Sequence, residues 1–558
     1  MALIDRAMLA VLALALLQGS SVAVAAPPPE AIYLNGNVWT GDAKQPKAEA
    51  IAIAGGSIVA IGSSADIRKL ATSSTRVVDL KSAPVVPGFI DNHVHFVSGG
   101  VGLDQVDLRD AKTPAEFTRR IAQAAAGSKQ GRWIIEGNWD HETWGGQLPT
   151  RDLIDQDTPN TPVFVSRLDG HMALANSVVL KLAGIDEKTP DPPGGTIVRD
   201  AKGRPTGVLK DAALVLVTKV MPPPSDEELE QALQRAMEHA VSRGLTQVHD
   251  MGGYEDFRVL EMYRRARASN KLRLRIYAFV PLAEAKQAAE FKQRNGAGDD
   301  WLRWGGVKGY VDGSLGASTA WLHRPYQDEP TTSGLTVTEP ELLRSRIVAA
   351  NQAGLHVTVH AIGDRANDWL LDAYQKVEQA GPKKDWRFRI EHAQHLTPGA
   401  IKRFGPLGVV ASMQPPHLID DGRWAEKRIG AERLKGTYAF RSLLDAGAHV
   451  TFGSDWPVAT LDPLTGIYAA VTRRTADNLN PNGWQPQEKI TVAEALRAYT
   501  AESAWAGFQE GKVGVLKAGA LADFAVLSRD LFTSPPAQIA DIKVVRTVVG
   551  GRDVFIAK

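Results

Sequence analysis

Apolar and polar positions alternate along this chain in two registers, and their order predicts the architecture. Short apolar runs of β type occur at 85–90, 245–249, 272–280, 307–311, 356–360, 387–392, 409–413 and 449–452; each ends in polar or glycine residues. Most are followed by sequence with helical periodicity. Ser225 with Glu228 reads as a capping box ahead of Leu229, Leu233, Met237 and Val241, with Gly244 as the stop. Thr491 with Glu494, and Thr113 with Pro114 and Glu116, repeat the device. Buried strands alternating with helices form a parallel sheet, and eight such units predict an α/β fold, a closed (β/α)₈ TIM barrel over residues 87–507.

The two ends of the chain have a different pattern. Ile51-Ala-Ile53 and Ile58-Val-Ala-Ile61 flank Gly55-Gly56, and Asp523-Phe-Ala-Val-Leu527 precedes Val544 to Val549 and Gly550-Gly551. These are strands and tight turns. Neither end is long enough for its own core, so residues 26–86 and 508–558 are expected to pair as one composite β-sandwich. Between the first two barrel strands lie about 125 residues, 99–224, which exceeds any ordinary βα connection and predicts an inserted subdomain. It carries Trp133, Trp139, Trp144 and the run Arg167-Leu-Asp-Gly-His171. It reads equally as a packed accessory layer or as a lid and substrate wall.

Composition narrows the partners. Lys plus Arg (64) and Asp plus Glu (63) leave a net charge of +1, so no field favours nucleic acid or an anionic membrane. A small-molecule substrate is expected, and a homodimer would be an ordinary assembly. Arg6, the apolar run from Ala7 to Leu17 and the small residues Ala23 and Ala25 look like a secretory signal peptide over 1–25, too short to span a bilayer. The mature chain is then secreted or periplasmic, without a stable membrane anchor. With no cysteine, any metal must be held by His, Asp, Glu or a modified Lys.

Functional groups of a (β/α)₈ barrel gather where strands end. The run at 85–90 is followed by Asp91-Asn-His93-Val-His95, the fourth contains Lys308, the fifth ends at His360, the sixth at His392, and the eighth is followed by Ser454-Asp455. A His-x-His pair on extended backbone turns both imidazoles to one side. Alone it is a weak signal. The ordered set of rim ligands is what gives it weight.

Those motifs, Pro87-Gly-Phe-Ile-Asp-Asn-His-Val-His95, Lys308-Gly-Tyr-Val-Asp-Gly-Ser-Leu-Gly316, His360-Ala-Ile-Gly-Asp364, Arg389-Ile-Glu-His392 and Gly453-Ser-Asp-Trp-Pro457, resemble the amidohydrolase superfamily and its family 3 branch. Asp169-Gly-His171, Asn176-Ser177 and Gly519 to Leu527 extend the resemblance over nearly the whole mature chain. It implies that His93, His95 and Asp455 hold one metal and His360 and His392 another, with Lys308 bridging as a CO₂-derived carboxylated lysine. Without that modification the site would hold one ion, with Lys308 paired to a carboxylate. Two Zn²⁺ are expected, with Mn²⁺ as another candidate. Asp455 is then the general acid and base, acting with metal-activated water, and His171 stabilises an oxyanion or positions substrate.

The expected reaction is hydrolysis of an amide-like carbon–nitrogen bond in an amide, formamide, N-acyl amine or N-acyl amino acid. Esters and lactones suit the same site, and a non-catalytic periplasmic binding protein is the alternative from another class. Of the other candidates, Asp312 and Trp456 are assigned to the substrate pocket, with Trp456 as its floor. Asp312 and Asp364 are expected to orient ligands, His249 to bond behind them, and His395 to be structural. His417 reads either as a substrate contact or as loop scaffold. Tyr310 and the aromatic residues of the insertion hint at an apolar or aromatic acyl group.

Overall fold

The computed structural model describes residues 28–128, 131–253, 256–381 and 384–558. The leader expected at 1–25 lies outside them. Eight parallel strands follow one another around a barrel: β1 (Phe89–Val94), β2 (Leu245–Asp250), β3 (Arg275–Pro281), β4 (Leu302–Tyr310), β5 (His356–Ala361), β6 (Arg389–His392), β7 (Val410–Met413) and β8 (Val450–Phe452). The segment after β8 closes the ring, because the Asp455 amide donates to the His93 carbonyl (2.7 Å) and the His95 amide to that of Trp456 (2.8 Å). Val94 and Trp456 therefore pair in parallel across the seam.

The strands obey a division of labour that their alternation dictates. On β5, Val357, Val359 and Ala361 are fully buried under the helical layer, where each larger side chain contributes about 1.5–3 kcal/mol by leaving water. Thr358 and His360 lie on the opposite, inner face. The strand is thus polar on its inner face and apolar where the helices pack.

The first predicted strand is divided in two by the structure. Pro84–Pro87 belongs to a sheet of the sandwich, and β1 starts only at Phe89. Gly88 is the hinge, because any Cβ there would lie 2.2 Å from Thr246. The sandwich joins the chain ends. One sheet has the order Ser57–Gly62, Ala50–Ala54, Ala31–Leu34, Arg76–Asp79; the other runs Arg552–Ile556, Val544–Val549, Phe524–Leu527, Pro84–Pro87, Asn37–Trp39, Lys47–Ala48. Tyr33, Ile51, Ile53, Val85, Phe524 and Val548 share the core between them.

After β1, helix α1 (Phe96–Gly102) packs on α2 (Asp226–Ser242), so the insertion leaves the barrel after Gly102. It contains a five-stranded sheet ordered Gly195–Arg199, Pro205–Asp211, Met172–Ala175, Val163–Arg167, Ile134–Trp139. Trp139 and Trp144 pack edge-on against Phe117 inside this unit, and Trp133 lies against its second apolar cluster. The tryptophans form the insertion's own packing, which for these residues is the accessory-layer alternative. Among the described residues no helix is long and apolar enough to cross a membrane.

Barrel and sandwich are joined by a buried ion pair. Arg275 at the start of β3 places Nε 2.6 Å and Nη2 2.9 Å from the two oxygens of Asp523, which also accepts the Gly550 amide (2.7 Å). Removing one partner leaves an uncompensated buried charge, which costs about 3–5 kcal/mol. Asp523→Ala should lower unfolding free energy by that order in urea titration, whereas Asp66→Ala, which breaks an exposed pair with Lys69 (2.7 Å), should change it negligibly.

Candidate metal centre

The strand ends bring the six expected ligand side chains to one mouth of the barrel. Nε2 of His93 and Nε2 of His95 lie 3.2 and 3.3 Å from Oδ1 of Asp455. Ligand atoms of His93, His95 and Asp455 fall within 4.8 Å of one another, and so do those of His392, His417 and Asp455. The His360 ring stands 4.5 Å from that of His392, centroid to centroid, and His93 is 5.0 Å from His392. Lys308 Nζ approaches His93 Nε2 to 3.3 Å and lies 4.9 Å above the Tyr310 ring.

Two of these residues reach the mouth by leaving ordinary backbone. Glu391 faces the barrel interior, so regular alternation would turn His392 outward. His392 instead has φ 73°, and Asp455 has φ 59°, both in the left-handed region that non-glycine residues seldom occupy. Such strain concentrates at functional sites.

Four of the imidazoles are oriented by a hydrogen bond from one ring nitrogen, the usual support for a metal ligand. His93 Nδ1 pairs with Glu391 Oε2 (2.5 Å), His95 Nδ1 with the Gly252 carbonyl (2.6 Å), and His360 Nε2 with the Gly313 carbonyl (3.1 Å). His417 Nε2 meets the Ser454 carbonyl at 3.2 Å. Burial holds His360 and His392 well below the usual imidazole range, leaving them neutral with a lone pair to offer. Burial opposes the charge on Asp455, yet His93 and His95 keep its carboxyl well below the ordinary range. Burial also pulls the Lys308 ammonium down to about 8.

The donor set fits divalent ions on a further observation. His392 Nδ1 is buried without a hydrogen-bond partner, and Asp455 Oδ1, although 3.2 and 3.3 Å from His93 Nε2 and His95 Nε2, makes no hydrogen bond of good geometry with them. Buried polar atoms are almost always satisfied, so lone pairs converging in this way suit a cation.

Glu391 and Arg389 were not anticipated as site residues. Both are fully buried; Arg389 Nε donates to Glu391 Oε1 (2.8 Å), Nη2 to the Asn92 carbonyl (2.6 Å) and to Ser412 (3.1 Å), and Nη1 meets His249 (3.1 Å). Ser412 and Thr358 donate to Glu391. Burial opposes ionisation, but Arg389 and then His93 hold Glu391 well below its ordinary range. The signal available in the sequence was the pair of opposite charges two apart on an otherwise apolar run. Asp211 was also missed: it pairs with His171 Nδ1 at 2.6 Å, has φ 48°, and no local pattern marks it. Burial opposes protonation of His171, but Asp211 raises its pKa above the usual value.

Other expected residues are placed differently. Asp312 is fully buried and spends its oxygens on the amides of Ile362 (3.0 Å), Gly363 (2.8 Å) and Trp321 (2.8 Å), so it shapes the loop after β5 and does not reach the cavity. It still lies 3.5 Å from His360 Nε2. Trp456 turns away from the cavity onto Phe96, His239 and the bare backbone at Gly99, where a Cβ would be 2.2 Å from its ring. It is no pocket floor. Asp364 accepts the amides of His323 (2.9 Å) and Arg365 (2.8 Å) and orients no ligand. His249 bonds behind the ligands through Arg389, and His395 is buried against Thr437 (2.9 Å).

Above the cluster is a small cavity of about 40 Å³. His171, His360, His392, His417 and Asp455 line its inner end, and Arg167, Leu168 and Asp169 bring the insertion into its wall.

Residues 76–555 match the model of the amidohydrolase family. The chain is 42% identical over 539 residues to Protein LONG AFTER FAR-RED 3 of Arabidopsis thaliana, covering 94% of this chain and 91% of that one. It is 30% identical over 538 residues to N-substituted formamide deformylase of Arthrobacter pascens, covering 93% and 97%. Among solved structures it resembles an uncharacterized metal-dependent hydrolase from Pyrococcus horikoshii OT3, with a TM-score of 0.74, 30% identity, and 91% and 99% coverage.

Glu391→Gln removes the charge that orients His93 and offsets Arg389. Metal affinity should fall about 10–100-fold, read as metal content after dialysis against graded chelator. Burial also pulls His141, His356 and His395 down to about 3, so these rings stay neutral in the folded chain while their unfolded counterparts protonate near 6.5. The unfolded state then binds more protons, and stability must fall as pH drops from about 6.5 towards 3. Melting temperature measured across that window should decline, and exchanging His395 for Gln should flatten the decline.

Proposed function

This chain belongs to the amidohydrolase family, and on that premise we propose that it hydrolyses the carbon–nitrogen bond of an amide-like small molecule. His93, His95, His360, His392 and Asp455 would hold two divalent ions, zinc foremost, with Lys308 bridging them as a carbamate. The observation that carries this reading is the convergence of His93, His95, His360, His392 and Asp455 from four strand ends, with His392 Nδ1 buried and unpartnered. The name of the Arthrobacter relative, a formamide deformylase, supports a carbon–nitrogen bond. Bound ions would supply Lewis acidity, polarising a carbonyl and acidifying water.

The chain's own groups do the rest. Asp455, held as a carboxylate, takes a proton from the attacking water and returns it to the departing nitrogen. His171 is fixed by Asp211 through Nδ1, so Nε2 is its remaining polar atom, at the cavity end beside His360 (5.1 Å between rings). There it donates to the carbonyl oxygen as negative charge develops. The lowered pKa of Lys308 makes neutral amine available near neutral pH, the form that adds CO₂. An ammonium has no lone pair for a metal; a carbamate has.

Metal-loaded protein should turn over members of an amide and formamide panel, and Asp455→Asn should lower kcat by about 10²–10⁴-fold. Unchanged turnover in that variant, or hydrolysis of lactones with no amide accepted, would overturn the assignment.

A further inference from the structure

The charge inventory of the cavity narrows the substrate, taking the hydrolysis proposed above as given. Beyond the metal-ligand end, the wall is built from Leu168, Leu315, Ile362, Trp424, Val458 and Ala459. Among the described lining residues, Arg167 is the one Lys or Arg. Its side chain is fully buried, with Nη2 3.2 Å from Asp140 and Nη1 2.8 Å from Asp169. Both ends of the guanidinium therefore lie in ion-pair range of carboxylates of the protein, although Nη1 makes no hydrogen bond of good geometry.

Besides Asp455 at the metal-ligand end, three carboxyl groups line the same cavity, those of Asp169, Asp420 and Asp421. The cations behind them are also engaged. Arg423 lies 3.2 Å from Asp420 and 2.8 Å from Asp140, and Arg109, 3.7 Å from Asp420, donates to the carbonyls of Pro457 and Val458. Asp421 is buried and accepts from Gln394 (2.8 Å) and Tyr438 (2.7 Å). A carboxylate carried by a substrate into this wall, away from the metal-ligand end, would lose its water beside Asp169 and Asp420 and meet no Lys or Arg that does not already face a carboxylate.

We propose that the site selects amides whose nitrogen bears an uncharged, apolar substituent, and discriminates against N-acyl amino acids. A site that leaves a charged group unpaired rejects it by factors on the order of 100 or more. The paired probes are N-phenethylacetamide and N-acetylphenylalanine, together with their N-formyl counterparts, because each pair differs only by the α-carboxylate. The expected result is a kcat/KM at least about 100-fold higher for the neutral member, with Asp420→Asn narrowing the ratio. Equal or preferred turnover of the acid would overturn this selectivity while leaving amide hydrolysis intact. A ratio untouched by Asp420→Asn would remove the carboxylates as its cause. Turnover of none of the four compounds, nor of any amide in the wider panel, would overturn the hydrolase reading itself.

Discussion

The pairing of Glu391 with Arg389, both wholly withdrawn from water, is the constraint on which the barrel mouth depends. Taking two charges into a protein interior costs several kcal/mol per ion unless every lone pair and proton finds a partner. Here they do. His93, Ser412, Thr358 and Arg389 surround the carboxylate, while His249, Ser412 and the Asn92 carbonyl complete the guanidinium. Strands β1, β2, β5, β6 and β7 are thereby held to one register, because a slip of one residue would strand a buried charge. His93 inherits its orientation from this arrangement, and with it the lone pair at Nε2.

What could be read in the linear chain divides along physical lines. The eight strands are legible because burial on both faces demands continuous apolar runs, and His93 and His95 because a spacing of two places side chains on one face. The boundary at Gly88 is not, since the apolar run continues through it and only the approach of Thr246 breaks the strand. His392 was assigned as a ligand from motif resemblance; alternation argues against it, and a left-handed φ reverses that argument. Trp456 failed for the opposite reason. Its neighbour Asp455 faces the cavity, and the indole is carried to the other side, over α1. Asp211 is distant in sequence from the ring it holds, so nothing local could reveal it.

The insertion is both scaffold and wall. Its tryptophans stabilise its own sheet, while the loop from Arg167 to His171 enters the cavity. Ion pairs from Arg423 to Asp140 (2.8 Å) and from Arg428 to Glu142 (3.1 Å) tie it to the chain beyond β7. The same contacts that dock this unit also neutralise the basic groups near the substrate. Docking and the proposed selectivity would therefore be coupled, because altering one exposes or strands a charge that serves the other.

The shared sandwich also imposes an order on synthesis. Pro84–Pro87 emerges early from the ribosome, but one of its two sheet neighbours, Phe524–Leu527, is among the last segments made. Until translation is nearly finished, that edge has unpaired amides and carbonyls and invites association with other chains. Such a polypeptide stays incompletely assembled for most of its production, so a holdase that shields the nascent edge would raise its yield more than one acting after release.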